Sequence, residues 1–193
     1  MNSAKVEITG DLPVTLSTVK EWLRIDHTDD DIAIADMIAE AVSEIERRTG
    51  RQFREATGTL KLSDFPTGRQ AIVVPCPPLR SVTSVTYFDL DETEVTLDVE
   101  VNTDSLPGQI YPPSGESWPV ATNKRSHPVV IEFTCGQPPT DRQKDIVGCL
   151  RIMLDLAFHD LTPMESRRLE KRRDAIIYRY RVRDLRLSGI TYN

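Results

Sequence analysis

The spacing of apolar residues changes period twice along the chain, and this limits the fold more than any single motif. Leu16, Val19, Trp22 and Leu23 fall at helical spacing behind Thr15, which can serve as an N-cap. Ile32, Ala35, Ile38, Val42 and Ile45 then read as one helical face that ends at Gly50, just past Arg47 and Arg48. From Leu60 and Leu62 onward the period is two. Ile72 to Val74 form an apolar run, and Val85 and Tyr87 share one face. Val95, Leu97, Val99 and Val101 alternate with Thr96, Asp98 and Glu100, and Val129, Ile131 and Phe133 repeat the pattern. Helical spacing returns at Ile146, Val147, Leu150, Met153, Leu154, Ala157 and Phe158, behind the capping-box pattern Thr140-Asp141-Arg142-Gln143. A second box, Thr162-Pro163-Met164-Glu165, opens a basic fourth helix whose apolar positions, Leu169, Ile176 and Tyr180, are sparse.

The expected fold is therefore α+β: a small bundle of about four helices with an inserted antiparallel β region and a long loop. The connections between strands are too short for crossover helices. Helices are expected at about 15–25, 29–50 and 140–160, and the β insertion at about 57–136. Residues 1–160 form the body, entered through a short leader, and 161–193 form a basic helix and tail. The long loop runs from Asn102 to Pro128 and carries Pro107, Pro112, Pro113 and Pro119. Loops of that length are uncommon unless they bind something or are mobile, and Tyr111 and Trp118 are its expected contacts with a neighbouring subunit or a further partner protein.

Composition sets the broad class. The chain has 193 residues, 39% hydrophobic and 28% charged, enough apolar material for a real core. It has no apolar run of membrane-spanning length, and its start, MNSAKVEITGDLP, does not read as a signal peptide. No membrane partner is expected. Cys76, Cys135 and Cys149 are odd in number and far apart, which fits buried thiols in a reducing compartment better than a disulfide framework. Charge is uneven: from Leu161 to Asn193 nine Lys/Arg stand against four Asp/Glu, while the whole chain carries −6. An acidic body with a basic end points to a tail that docks on something acidic.

Catalytic patterns are missing. The sequence holds no Gly-rich phosphate loop, nucleophile elbow or paired-histidine zinc motif, so neither an enzyme nor a cofactor is expected. Asp29-Asp30-Asp31 offers hard oxygen ligands, but three acids ahead of an apolar-periodic run are better read as an N-cap and helix-start charge. His27, His127 and His159 stand at no metal-ligand spacing to the cysteines. Ser114-Gly115-Glu116-Ser117 reads as a turn between proline-rich segments.

In the last stretch arginines interleave with apolar and aromatic residues: Tyr178, Arg179, Tyr180, Arg181, Val182, Arg183, Leu185, Arg186, Leu187 and Ile190. Such a mixture suits a docking segment. It is expected to stay mobile in the free protein and to be dispensable for folding.

Several segments, in order, resemble one known family. They are Leu12 to Asp26 (LPVTLSTVKEWLRID), the acidic start of the second helix with its end RRTGR at 47–51, and Pro77 to Tyr87 (PPLRSVTSVTY). Tyr111 to Pro119 (YPPSGESWP) and Val130 to Gly136 (VIEFTCG) complete the set. The chain resembles the head-tail connector, or adaptor, proteins of long-tailed phages, which also occur in prophages and gene transfer agents. The resemblance covers about residues 12–160; the basic end to Asn193 departs from it. It implies a dodecameric ring of this chain beneath the portal protein, continuing the DNA channel without sequence-specific DNA binding. It also implies a tail, stopper or terminator protein as a further partner, in the neck of a particle assembled in bacterial cytoplasm. The competing reading is a DNA-binding packaging accessory or regulator that uses the basic C-terminus, with strongly salt-dependent duplex binding.

Overall fold

A computed structural model of the chain describes residues 2–137, 144–182 and 190–192. The strands are β1 (Asn2–Ile8), β2 (Ala56–Leu62), β3 (Ile72–Val73), β4 (Leu79–Phe88), β5 (Glu94–Thr96), β6 (Glu100–Asn102), β7 (Gln109–Tyr111), β8 (Val129–Cys135) and β9 (Ile190–Tyr192). The helices are α1 (Leu16–Leu23), α2 (Asp31–Thr49), α3 (Lys144–Phe158) and α4 (Pro163–Tyr180). The α+β class expected from the two period changes is what forms. By packing, the chain divides into a β unit of Met1–Thr9, Glu55–Gly136 and Arg183–Asn193, and a helical unit of Gly10–Arg54 and Gln137–Val182. This division differs from one at residue 160, because α4 belongs with the other helices.

In the helical unit, α1 starts where the Thr15 hydroxyl accepts from the Thr18 backbone N–H at 3.3 Å. It stops at Arg24, whose left-handed backbone (φ 58°) turns the chain. α2 ends at Gly50 (φ 68°), whose N–H reaches the Glu46 carbonyl at 2.9 Å. The core joins Val19 and Leu23 of α1, Ile34, Ile38, Val42 and Ile45 of α2, Ile146, Leu150 and Leu154 of α3, and Ile177 of α4. One expectation is corrected here: Ile32 is 80% exposed and Ile34 takes the core position. At 3.6 residues per turn, Ile32 lies about 120° round the helix from Ile38, whereas Ile34 lies almost above it. Asp30 is the N-cap residue but its side chain makes no capping bond, and Asp31 instead pairs with Lys20 Nζ at 2.5 Å. The Thr140–Gln143 box lies outside the described residues. The second box forms as expected: Glu165 N–H donates to the Thr162 hydroxyl at 3.4 Å, and Thr162 N–H donates to the Glu165 carboxylate at 3.0 Å.

In the β unit a six-stranded sheet runs β5-β4-β8-β2-β1-β9 and a three-stranded sheet runs β3-β7-β6. β2 and β8 are antiparallel with Leu60 opposite Ile131 and Gly58 opposite Phe133. Alternate residues of both strands are buried, which is the period-two pattern of the sequence made physical. Gly58 is required there: a Cβ on it would lie 2.2 Å from the Phe133 ring. Three expectations change. The leader is strand β1, paired antiparallel to β2 with Ala4 buried. β9, in the basic tail, pairs parallel to β1, so the sheet gathers strands from both ends of the chain. The alternating stretch from Val95 to Val101 is not one strand, since β5 joins the large sheet and β6 the small one.

Candidate docking surfaces

α4 is held by one stripe only. Leu169, Arg173, Ile176, Ile177 and Tyr180 recur at four- and three-residue spacing, with Ile177 buried and the others half-buried. Polar contacts fix its far end. Arg51 Nε donates to the Tyr180 carbonyl at 2.7 Å, the Tyr180 hydroxyl donates to Asp145 at 3.2 Å, and Arg179 pairs with Asp145 at 3.0 Å. Burial, and then the bond to Asp145, pushes the Tyr180 phenol above its ordinary value. Burial lowers the Arg51 guanidinium. The Arg173 hydrogen bond, with a further one from Arg48, holds the Asp174 carboxyl below the usual carboxylate range.

These contacts divide the expected docking residues. Tyr178, Arg179 and Arg181 are exposed. Tyr180 is half-buried, and Val182 is buried with its N–H on the Thr49 carbonyl at 2.8 Å. The stretch to Val182 is thus part of the helical unit's interior and edge rather than a dispensable tail. Arg183, Leu185, Arg186 and Leu187 lie outside the described residues. Ile190 opens β9, so its backbone is part of the large sheet.

The outer stripe of α4 is different in kind. Met164, Arg167, Arg168 and Lys171 stand at i, i+3, i+4 and i+7 and are exposed. Among the described residues, none of these three cations makes an ion pair. Between Ser166 and Arg173 there are five Lys/Arg and one Asp/Glu.

The long loop is held to its own unit. The Trp118 ring is 7% exposed, stacks on Phe65 at 5.0 Å, and donates its indole N–H to the Gln70 carbonyl at 2.7 Å. Thr122 is buried, with its N–H on the Phe88 carbonyl and its hydroxyl on Glu92. Glu116 N–H closes a turn onto the Pro113 carbonyl at 3.0 Å through Gly115, whose φ of 81° suits glycine. Trp118 therefore fills the core where the sequence suggested an outside contact: indole area that large is buried most readily within the subunit. Tyr111 is half-buried, its hydroxyl on Gln109 at 2.9 Å. Leu106 and Val120 are exposed apolar residues of this loop.

Sequence reading passed over the β4–β5 hairpin. Asp89 through Asp104 holds seven Asp/Glu and no Lys/Arg, a signal that was there to be read. The Asp89 carboxylate accepts from the N–H groups of Asp91 and Thr93, both at 2.9 Å, which tightens the turn. Leu90 stands at its tip, 61% exposed. Glu92 is tied back to Arg125 and Thr122, and those hydrogen bonds hold its carboxyl below the usual range. Asp91, Glu94, Asp98 and Asp104 are exposed and have no cationic partner among the described residues.

Among the described residues no group of three or more His, Cys, Asp or Glu could hold a metal ion, and no helix is long and apolar enough to cross a membrane. Cys135 and Cys149 are buried and Cys76 is half-buried, and none of the three is in a disulfide among the described residues.

Residues 13–76 match the family of phage gp6-like head-tail connector proteins. No curated protein matches the chain significantly. Three solved structures share its fold over 94% of this chain and 97% of theirs. One is from the neck of an empty gene transfer agent particle solved with sixfold symmetry (TM-score 0.68, 18% identity). The second is from the virion of a native gene transfer agent particle (TM-score 0.64, 19% identity). The third is from the neck of a native particle solved with twelvefold symmetry (TM-score 0.60, 23% identity). The N-terminal end is thus similar to the head-tail connector family, and over nearly its whole length the chain shares the fold of chains from gene transfer agent particles.

Proposed function

We propose that this protein is a structural adaptor: copies of it form a ring beneath the portal vertex, join the DNA-filled head to the tail and extend the DNA channel. The observation that carries the reading is the fold match over 94% of this chain to a chain of a particle neck, with similarity to the connector family at residues 13–76. The neck structures solved with sixfold and twelvefold symmetry support a closed ring as the working assembly. The role is mechanical rather than catalytic, and the surfaces described above are protein-facing in character. Portal docking falls to the exposed Tyr178, Arg179 and Arg181 with the residues that follow Val182. Arginine offers bidentate pairing to carboxylates there. Tail or stopper proteins would meet another face of the ring.

Deletion of the gene in a particle-producing strain tests this. The expected result is DNA-filled heads and free tails that do not join, restored by supplying the protein. Particles that join normally without it would overturn the proposal.

A further inference from the structure

The chain carries two exposed surfaces of opposite sign, each built around one exposed apolar side chain. On α4, Met164 (83% exposed) leads a stripe of Arg167, Arg168 and Lys171. On the β4–β5 hairpin, Leu90 leads Asp91 and Glu94, with Asp98 and Asp104 farther along the same acidic run. Neither set of charges is neutralised by its own chain among the described residues. The neighbouring charges that are neutralised show the contrast: Glu92 is held by Arg125 at 2.9 Å, and Arg173 by Asp174 at 2.9 Å. Ion pairs isolated in water contribute little. Several pairs around an apolar contact that excludes water contribute more and fix the register of two surfaces.

We infer that the acidic hairpin of one copy docks on the basic outer stripe of α4 in the next copy, with Leu90 set against Met164. The inference rests on the ring reading and says which surfaces make it. Two different patches on one chain give a head-to-tail contact, the kind that closes into a ring. Methionine suits the receiving side because its unbranched side chain adapts to what is placed on it. Duplex DNA would use the basic stripe but would leave the hairpin and Leu90 without a role.

The test is charge reversal in the full-length protein. One variant carries Arg167→Glu and Arg168→Glu, the other Asp91→Lys and Glu94→Lys, with self-association followed by sedimentation at low salt. All four positions are exposed, so thermal melting should match the parent. Each variant alone should associate roughly 10- to 100-fold more weakly. An equimolar mixture of the two should recover association, because every contact between unlike copies then pairs opposite charges. The chain with all four changes should recover it alone.

If the parent forms rings and both variants form them equally well, this inference fails and the ring reading stands. If only the Arg167→Glu, Arg168→Glu variant is affected, and it loses retention on a DNA duplex of about 30 base pairs, the stripe serves DNA and the inference also fails. A parent chain that does not associate at any salt removes the ring reading and this contact together.

Discussion

Glu46 organises the residues that follow α2. One carboxylate oxygen accepts from the Gln52 side chain at 2.8 Å and from the backbone N–H groups of Phe53 and Arg54 at 2.9 and 3.2 Å. The other pairs with Arg54, and both side chains are almost wholly buried. Glu46→Gln should therefore destabilise the protein by about 3 kcal/mol in urea unfolding, because it leaves a buried guanidinium without its counter-charge. In the sequence Glu46 is one acid in a charged helix end, and nothing in its neighbours distinguishes it from a solvated one. Cys149 was easier to read as an inert thiol. Burial pushes it up to about 11 from an ordinary 9.0. The folded state thus keeps a proton that the unfolded chain gives up near 9.0. Its stabilising contribution is complete below pH 9.0 and is lost as pH rises through about 11. Titrating urea midpoints across this range should show a decline that Cys149→Ala reduces, and a thiol reagent at neutral pH should leave Cys149 unmodified until the protein unfolds.

At the scale of elements, α4 depends on its ends, since only Ile177 along it is fully buried. Its capping box places the Glu165 carboxylate against the Thr162 hydroxyl and N–H, and these bonds hold Glu165 below its ordinary 4.5. That stabilisation is present above about pH 4.5 and is lost as pH falls through the lowered value. Thr162→Ala should cost about 1 kcal/mol, and hydrogen exchange of the first-turn amides should quicken both in that variant and in acid. The box was legible because it depends on residues three apart. β1 and β9 were not legible as partners: β1 is seven residues and β9 three, and pairing between the two ends of a chain leaves no local pattern.

For the whole molecule, the uneven charge seen in the sequence resolves into particular surfaces, a basic stripe on α4 and an acidic hairpin in the β unit. The tail resolves as well. Truncation after Arg173 removes Ile177 and Val182 from the helical unit's interior, together with the Tyr180 carbonyl that holds Arg51. It should lower stability by about 3 kcal/mol or more, on the scale of losing large core side chains. Truncation after Val182 spares them and takes β9 from the sheet edge, so its thermal midpoint should stay much closer to that of the full chain. Circular-dichroism melting separates the two. The α+β class, the four helices and the strands Ala56–Leu62 and Val129–Cys135 could be read from residues alone, because period and capping are written within a few neighbouring positions. Tertiary structure alone decided that Trp118 fills the core, that Ile34 rather than Ile32 faces inward, and that Val182 is interior. Each depends on which distant surface lies opposite, and a one-dimensional pattern does not carry that information.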